Sequence, residues 1–459
     1  MDVIISANTN TLNLMYIVND TEFANLQKNI EDKNQFDSLV KKIKKEVLDE
    51  CIDYRLSVFN FHVEKNNTHI IYNTMYNTLV RLNYLEYEKF LGKRKCGKNL
   101  AKDFLYNGLW VSKHLDEHKN YTCLRNEFNQ KLSKHLSLNI TTTLKCNARC
   151  NYCYENGVKQ DDFCVENLDP LINFIKKRKG DAVVALNWFG GEPLLNTPVI
   201  DFVTQELAKE KIEYNSYLIT NGSLITKKLV ETKFSRWRIQ DVQITLDGSE
   251  KVYEARKAYI NNPKGIFKRI LNKIELLASK NINVHIRLNV DHDNTDDIID
   301  VLQILQNRFD DNSNVTYYPA FLTGNGNKLT EREKIDFVKK MFISLSKPEK
   351  MNIGNRMYSI PRTQACMISD PKSFSVDVYG NVYECEHLVG RTERSIGMLS
   401  KFEETENNKR YSRSLRNECI ECIFLPKCMG GCQSNFESND DPCMIEKYMI
   451  QAYVEYLCE

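Results

Sequence analysis

Strand and helix patterns alternate six times between residues 136 and 346, and this alternation constrains the fold more than any other feature. Short apolar runs typical of buried strands are each followed by a helical periodicity. The predicted strands are residues 138–142, 182–188, 214–219, 242–246, 284–290 and 315–321. Six such repeats predict an α/β fold in which helices cover a parallel sheet. Because ligands of such folds bind at the carboxyl ends of the strands, the residues that follow each strand are the candidate site residues.

Three cysteines follow the first predicted strand with the spacing C-x3-C-x2-C, namely Cys146, Cys150 and Cys153. A loop this short can direct three sulfurs at one point, which suits a cubane iron–sulfur cluster with one iron free for another ligand. A zinc knuckle and unliganded structural cysteines are the alternatives. Zinc sites usually have four protein ligands in two C-x2-C-like pairs, and the next cysteine, Cys164, lies eleven residues further on.

Glycine, amide and carboxylate residues follow the other predicted strands. The second strand leads into Gly190-Gly191-Glu192-Pro193, where two glycines would admit a ligand close to the backbone and Glu192 offers a carboxylate to an amino group. The third, fourth and fifth strands lead into Thr220-Asn221-Gly222, Asp247-Gly248 and Asn289-Val290-Asp291. Each segment also has an ordinary explanation as a turn, so only their joint placement on one rim indicates a pocket for a ribose and an adenine.

A second cysteine system occupies residues 347–459, where helical periodicity fades. A predicted hairpin turning at Gly380 separates its first two members, and a C-x2-C-x5-C-x3-C run follows. The cysteines are Cys366, Cys385, Cys419, Cys422, Cys428, Cys432, Cys443 and Cys458. This spacing indicates metal binding, with a structural zinc ribbon as the alternative.

The residues before 130 predict a separate small α+β module. A hairpin is expected over residues 54–73, with a turn at Asn66-Asn67, and helices are expected over 75–84, 85–91 and 100–106. The sequence of this module does not reveal its role.

Charge and composition limit the partners and the compartment. Lys and Arg number 63 and Asp and Glu 61, and no basic stripe with interleaved aromatic residues is present, so no nucleic-acid partner is expected. No signal peptide or apolar run of eighteen residues occurs, so we expect no membrane association. Fifteen cysteines without an export signal then favour a reducing, cytoplasmic location.

The first cysteine motif, with Tyr152 before its last cysteine and Gly190-Gly191-Glu192-Pro193 after it, resembles the radical S-adenosylmethionine (radical SAM) superfamily over roughly residues 136–346. The resemblance implies a partial (β/α)6 TIM-like barrel and a [4Fe–4S] cluster whose open iron binds S-adenosyl-L-methionine. One electron would cleave this cofactor to a 5′-deoxyadenosyl radical that abstracts a substrate hydrogen. The candidate cofactor contacts are Tyr152, Gly190, Gly191, Glu192, Pro193, Asn221, Thr245, Arg256 and Asn289.

Among these contacts, Glu192 would hold the amino group of the cofactor. Thr245 matches a position that is often serine in the family, and Arg256 would pair with the cofactor carboxylate, although the spacing around Arg256 is looser.

The later cysteines resemble a SPASM domain with two auxiliary iron–sulfur clusters, which makes three [4Fe–4S] clusters in all. The resemblance assigns one auxiliary cluster to Cys419, Cys422, Cys428 and Cys443, and the other to Cys366, Cys385 and Cys432. Seven cysteines serve eight ligand positions, so the second cluster would keep an open iron that a substrate thiolate could bind. Cys458 is either the eighth ligand or a packing residue of the last helix.

Such proteins mostly modify ribosomally made peptides, so the resemblance implies a radical SAM oxidoreductase acting as a peptide (RiPP) maturase. The open iron favours thioether crosslinks from a cysteine sulfur to a carbon. The expected partners are a precursor peptide with a leader segment and an electron donor such as flavodoxin or ferredoxin. Three domains are expected. Residues 1–130 would bind the leader through a strand edge. Residues 131–346 would be the radical SAM core, and residues 347–459 would be the SPASM domain with its two auxiliary clusters.

Two other functions remain open from the sequence. The first is a formylglycine-generating sulfatase maturase, in which Glu386 would be the base at a position where that group has Asp. The second is a non-catalytic iron–sulfur scaffold that binds or delivers a peptide.

Overall fold

The computed structural model describes residues 1–5, 53–122, 135–153, 155, 157, 159–261, 263–322, 328–345, 366–402, 415–432 and 443–458. Its strands are β1 Asp2–Ile5, β2 Tyr54–Leu56, β3 Asn60–Lys65, β4 Thr68–Asn73, β5 Thr78–Leu82, β6 Trp110–Ser112, β7 His135–Thr143, β8 Val183–Gly190, β9 Tyr214–Thr220, β10 Ile239–Leu246, β11 Asn283–Val290, β12 Val315–Phe321, β13 Ser373–Val376, β14 Asn381–Tyr383 and β15 Gly397–Met398.

The α-helices of the same residues are α1 Tyr84–Phe90, α2 Lys98–Tyr106, α3 Leu168–Lys179, α4 Thr197–Lys209, α5 Lys227–Leu229, α6 Glu250–Lys257, α7 Ile266–Ser279, α8 Thr295–Phe309, α9 Glu331–Ser344, α10 Asn417–Ile420, α11 Leu425–Cys428 and α12 Ile445–Leu457. Helix α5 continues into a π-helical turn, Val230–Phe234. None of them has the length and apolar character that crossing a bilayer requires.

Strands β7 to β12 form the predicted parallel sheet in simple sequence order, which confirms the α/β fold with a parallel core. Side chains on the face toward the helices are apolar and fully buried, as with Leu186, Ile244 and Leu288. Helix α7 shows the matching pattern, because its buried Ile270 and Ile274 are four residues apart and lie on one face. The core therefore lies between the sheet and its helices.

Within the described ranges, the sheet does not close into a barrel. At the free edge of β7 the chain adds β13, which runs parallel to β7 with Ser373 opposite Ser137. Strands β14 and β15 then continue the sheet in antiparallel order, giving nine strands. The predicted turn at Gly380 is present, with φ of 83°, and the Asp377 carboxylate accepts hydrogen bonds from the backbone amides of Tyr379 and Asn381. The cysteine-rich region and the parallel core thus share one sheet.

The N-terminal module has its own four-stranded antiparallel sheet in the order β1-β5-β4-β3. Asn66 and Asn67 both have positive φ, as a two-residue hairpin turn requires, so the predicted hairpin turn is confirmed. The predicted helix over residues 75–84 is wrong, because Thr78–Leu82 is strand β5. The Asn73 side chain accepts from the amides of Met75 and Tyr76 and starts a turn instead of a helix.

This module packs against the cysteine-rich region. The Tyr121 hydroxyl donates to the Leu425 carbonyl at 3.2 Å, and the Lys427 ammonium donates to the Asn77 side chain at 2.9 Å. Buried Cys419 lies in the same apolar cluster as Phe59. The two ends of the described chain therefore share a core.

Candidate active site

A cavity of about 360 Å³ lies where β7, β8, β9 and β10 end. Seven predicted site residues line it together: Cys146, Cys150, Cys153, Gly190, Gly191, Asn221 and Thr245. The cavity falls in the 300–1,000 Å³ range usual for small-molecule sites. The structure therefore brings the first cysteine motif and the glycine motif to one place.

Backbone hydrogen bonds hold the cysteine loop. The amide of Arg149 donates to the Lys257 carbonyl at 2.9 Å, and the amide of Cys153 donates to the Cys150 carbonyl at 3.2 Å. The three thiols are half-buried. Burial raises the pKa of Cys146 to about 11 and raises the pKa of Cys153 in the same direction. The Cys146 and Cys153 thiols therefore keep their protons at neutral pH until a metal replaces them.

The two glycines bring the end of β8 against the cysteine loop. A Cβ atom on Gly190, whose φ is 122°, would lie 2.3 Å from the Thr143 carbonyl oxygen, and one on Gly191 would lie 2.4 Å from the Lys145 carbonyl oxygen. The amide of Glu192 also donates to the Lys145 carbonyl at 2.9 Å. The two glycines were predicted to let a ligand approach the backbone closely. In the structure, the backbone before the cysteine loop already lies in close contact with them.

Glu192 is fully buried and connects two strand ends. Its carboxylate accepts from the Thr220 hydroxyl at 2.7 Å, the Asn221 amide at 2.9 Å and the Leu194 amide at 3.2 Å. Burial raises the pKa of Glu192, although these hydrogen bonds oppose the shift. Glu192 does not belong to the cavity lining, so its contact with an amino group stays a prediction.

Tyr152 belongs to a buried network that the sequence did not reveal. Its hydroxyl donates to Asp247 at 2.7 Å and accepts from Lys257 at 2.9 Å, and Lys257 pairs with Asp247 at 3.2 Å. Burial would lower the pKa of Lys257, but Asp247 and its other neighbours raise it well above its usual value. Lys257 also lines the cavity, so a fixed positive charge faces the cysteines. Helix α6, which carries Lys257, was not predicted, although Asp247-Gly248 just before it was a candidate rim segment.

A second missed residue is Glu155, which also lines the cavity. Burial raises the pKa of Glu155 to about 7. Its position two residues after Cys153 was the available signal, but the sequence does not show that Glu155 is half-buried beside the cavity.

The remaining predicted contacts lie outside the cavity lining. Arg256 forms a two-point ion pair with Asp291 at 3.2 and 2.6 Å, so a carboxylate of this chain already engages its guanidinium. Asn289 accepts from Arg287 at 2.9 Å, and Pro193 begins a short 3-10 helix. Their cofactor roles stay predictions.

The later cysteines lie in two neighbourhoods. Burial raises the pKa of Cys385 well above its usual value, and Glu386, Cys366 and Cys432 lie close enough to add to this shift. Burial likewise raises the pKa of Cys428, with added effects from Cys419 and Cys422.

Lys447 links the remaining cysteine to the second neighbourhood. Burial alone would lower the pKa of Lys447, but interactions with Glu331, Cys443 and Cys422 raise it above its usual value. The Cys443 and Cys422 thiols therefore lie near the Lys447 ammonium. Members of each predicted ligand set thus lie near one another, and their roles as cluster ligands stay predictions. Cys458 instead contacts the Val63 carbonyl of the N-terminal module at 3.9 Å, which agrees with a packing role.

Glu386 reaches the inner face of the parallel sheet. Its carboxylate accepts from the Asn139 amide group at 2.5 Å, and Asn139 in turn accepts from Asn187 at 2.6 Å. Glu386, which directly follows Cys385, is therefore hydrogen-bonded to strand β7. The loop with Cys146, Cys150 and Cys153 follows the end of the same strand.

Residues 140–305 match the family model of the radical SAM superfamily. These residues are a radical SAM domain. The three half-buried thiols, glycine backbone, amide and hydroxyl that line one cavity fit the [4Fe–4S] cluster and S-adenosyl-L-methionine that this superfamily implies.

Curated relatives agree with this assignment. The GTP 3′,8-cyclase of Clostridium perfringens (strain 13 / Type A) is 28% identical over 212 residues, which cover 44% of this chain and 62% of the cyclase. The cysteine-type anaerobic sulfatase-maturating enzyme of the same organism is 22% identical over 369 residues, covering 68% of this chain and 92% of the relative. The chain thus spans less than two thirds of the cyclase's length. Since the superfamily and both relatives are enzymes, the prediction of an enzyme is confirmed.

Solved structures show the same fold. The structure described as native anSMEcpe with bound AdoMet has a TM-score of 0.55 and 18% identity, covering 70% of this chain and 96% of that chain. A structure of native anSMEcpe with bound AdoMet and Cp18Cys peptide has a TM-score of 0.56 and 19% identity, with the same coverage of both chains.

Proposed function

We propose that this chain is a radical SAM maturase that modifies a ribosomally made peptide by forming thioether crosslinks from cysteine sulfur to carbon. The observation that carries the proposal is the single cavity that Cys146, Cys150 and Cys153 share with Gly190 and Gly191. When bound there, the iron–sulfur cluster and S-adenosyl-L-methionine supply a 5′-deoxyadenosyl radical that takes a hydrogen atom from the substrate.

In this proposal the three cysteines hold the cluster, and Gly190, Gly191, Asn221 and Thr245 contact the cofactor. The fixed ammonium of Lys257 offsets negative charge on the thiolates. Tyr152 and Asp247 position that ammonium through the hydrogen bonds described above.

The inner face of the sheet supports a peptide substrate. Its half-buried side chains are mostly polar, whereas the interior of a closed eight-stranded barrel is packed with branched apolar residues. Gln243 accepts from Tyr318 at 2.7 Å, and His285 lies 3.0 Å from Asp241. Amide, hydroxyl and imidazole groups of this kind can pair with the backbone of an extended peptide.

The two cysteine neighbourhoods support auxiliary clusters. Cys419, Cys422, Cys428 and Cys443 would hold a complete cluster, and Cys366, Cys385 and Cys432 would leave one iron open. That iron would bind the substrate thiolate whose sulfur enters the crosslink. Strand β3, at one end of its sheet, would accept the leader segment, and a flavodoxin or ferredoxin would supply the electron.

The test combines metal analysis with product mass. After anaerobic reconstitution we expect enough iron and sulfide per chain for about three clusters. An iron and sulfide content that corresponds to about one cluster per chain would contradict the auxiliary sites. With dithionite, S-adenosyl-L-methionine and a cysteine-rich peptide, the product should lose two hydrogens per crosslink and keep all its sulfur. Complete absence of 5′-deoxyadenosine would favour the scaffold.

Formylglycine formation is the second candidate, and the Glu386–Asn139 hydrogen bond favours it. Here the 5′-deoxyadenosyl radical would take a hydrogen atom from the cysteine Cβ, a carboxylate held on the inner face would take the thiol proton, and an electron would pass to an iron–sulfur cluster. Water would then replace the sulfur, which leaves as sulfide, to give the aldehyde. The two candidates differ in sulfur content, so one mass spectrum separates them. Glu386→Gln should abolish aldehyde formation but leave crosslinking largely intact.

A further inference from the structure

A cluster of possible metal ligands lies on the N-terminal sheet and contains none of the cysteines discussed above. His62, Glu64 and His69 each present one ligand atom, and these atoms lie within 4.8 Å of one another. The radical chemistry does not use them.

The register of β3 and β4 brings these residues to one face. Glu64 lies directly opposite His69 in the antiparallel pair, and His62 precedes Glu64 by two residues and so faces the same side. The hairpin turn at Asn66 and Asn67 fixes this register, because a shift by one residue would send the side chains to opposite faces.

The distances suit a small divalent ion. His62 Nε2 lies 3.1 Å from His69 Nδ1, and His69 Nδ1 lies 3.7 Å from Glu64 Oε2. Bonds of 2.0–2.1 Å in a tetrahedral zinc site place two donor atoms about 3.4 Å apart. Both measured separations are close to that value.

Tyr87 of α1 supplies the support that metal-bound histidines usually have. Its hydroxyl lies 3.1 Å from His62 Nδ1, so His62 can donate to it through Nδ1. The lone pair of His62 Nε2, which pairs with His69 Nδ1 when no metal is bound, can then face the metal. The Tyr87 ring stacks on His69 with a centroid separation of 3.9 Å and an interplanar angle of 12°. Both imidazoles are thereby fixed in orientation.

Stability alone does not explain the histidine pair. His69 is 2% exposed, and its Nε2 has no hydrogen-bond partner among the residues that the structure describes. A buried ring nitrogen without a partner is unfavourable, and an apolar residue would fill the position at lower cost. A metal bound at Nδ1 would give this buried imidazole a role, although Nε2 would still have no partner among the described residues.

We propose that His62, Glu64 and His69 form a divalent transition-metal site, for zinc in particular, with a fourth position open to water or another ligand. Two imidazoles and one carboxylate are ligands that zinc accepts. The site would fix the β3–β4 hairpin to helix α1.

The test uses the full chain with its iron–sulfur clusters reconstituted, so that the cysteines are occupied. After chelator treatment and addition of one equivalent of Zn²⁺, the wild type should retain about one zinc per chain by mass spectrometry. X-ray absorption at the zinc edge should show nitrogen and oxygen at about 2.0–2.1 Å. Failure to retain zinc, or a sulfur shell at about 2.3 Å, would overturn the proposal.

Variants identify the ligands. Glu64→Gln removes a ligand that is 53% exposed, so its folding should be unaffected, and we expect at least a tenfold loss of zinc affinity. His62→Gln should lose at least as much, and the exposed His114→Gln is the matched control. Unchanged affinity in either ligand variant would overturn the three-residue site, and circular dichroism checks that each variant is folded.

Discussion

Gly191→Ala tests whether the approach of two strand ends assembles the site. The added methyl group would lie 2.4 Å from the Lys145 carbonyl oxygen and 2.9 Å from the Leu144 carbonyl oxygen, both of which are backbone atoms. Ordinary van der Waals contact begins at 3.4 Å, so the backbone must move by about 1 Å. Gly191 does not have a positive φ, so the substitution adds no backbone strain of its own.

A shift of that size moves the cysteine loop relative to the glycine turn. Overpacking costs about 1–3 kcal/mol, and each kcal/mol lowers the melting temperature of a domain of this size by about 2–4 °C. Misplacement by 1 Å can also cost about 100-fold in rate. We therefore expect a lower Tm, a cleavage rate of S-adenosyl-L-methionine lowered by about 100-fold, and loss of the first cluster's iron.

The assay measures iron per chain, 5′-deoxyadenosine after dithionite addition, and thermal unfolding. Gly97→Ala is the matched control, because its added methyl group meets nothing within 4 Å. Wild-type cleavage by Gly191→Ala would refute the argument, since the loop would then tolerate the displacement.

Three further predictions follow from buried contacts. Lys257→Met leaves Asp247 buried without its cationic partner, so we expect the free energy of unfolding in urea to fall by about 3–5 kcal/mol. Adding Asp247→Leu should recover part of this loss. An unchanged unfolding midpoint in Lys257→Met would contradict the buried ion pair. Cys419→Ser should lower bound iron by about four per chain, whereas Cys458→Ser should not, and equal iron in both would contradict the ligand assignment. Asn139→Ala releases Glu386, so aldehyde formation should fall about tenfold while crosslinking and 5′-deoxyadenosine stay near wild type. A parallel fall in all three would show a general defect.

The parallel sheet could be predicted because its strands have simple local signals. Each strand is a short apolar run that ends in glycine, amide or carboxylate residues, and strand direction then brings these ends to one rim. This reasoning predicted that Gly190 and Asn221 lie on the rim that carries the three cysteines, whereas Thr245 was predicted from the family resemblance; all of them line the cavity.

Other features depend on contacts between distant residues. Lys257 belongs to no motif in the sequence. Its role depends on burial against Asp247 and on a hydrogen bond to Tyr152, which lies 105 positions before it in the chain. The helix predicted over residues 75–84 failed because pairing with β4 overrode local periodicity. The pairing of β13 with β7 likewise joins residues more than 230 positions apart, and the local sequence gives no signal for it.

Strand β7 connects the first cysteine loop with the Cys385 neighbourhood and limits the distance between them. Its Asn139 binds Glu386, which directly follows Cys385, and Cys146 lies seven residues after Asn139. At about 3.3 Å per extended residue, Asn139 and Cys146 are at most about 23 Å apart. An extended peptide segment of about seven residues could therefore reach from the radical cavity to the Cys385 neighbourhood. Because β13 and β7 are hydrogen-bonded in one sheet, this spacing is set by the sheet and not by a flexible linker.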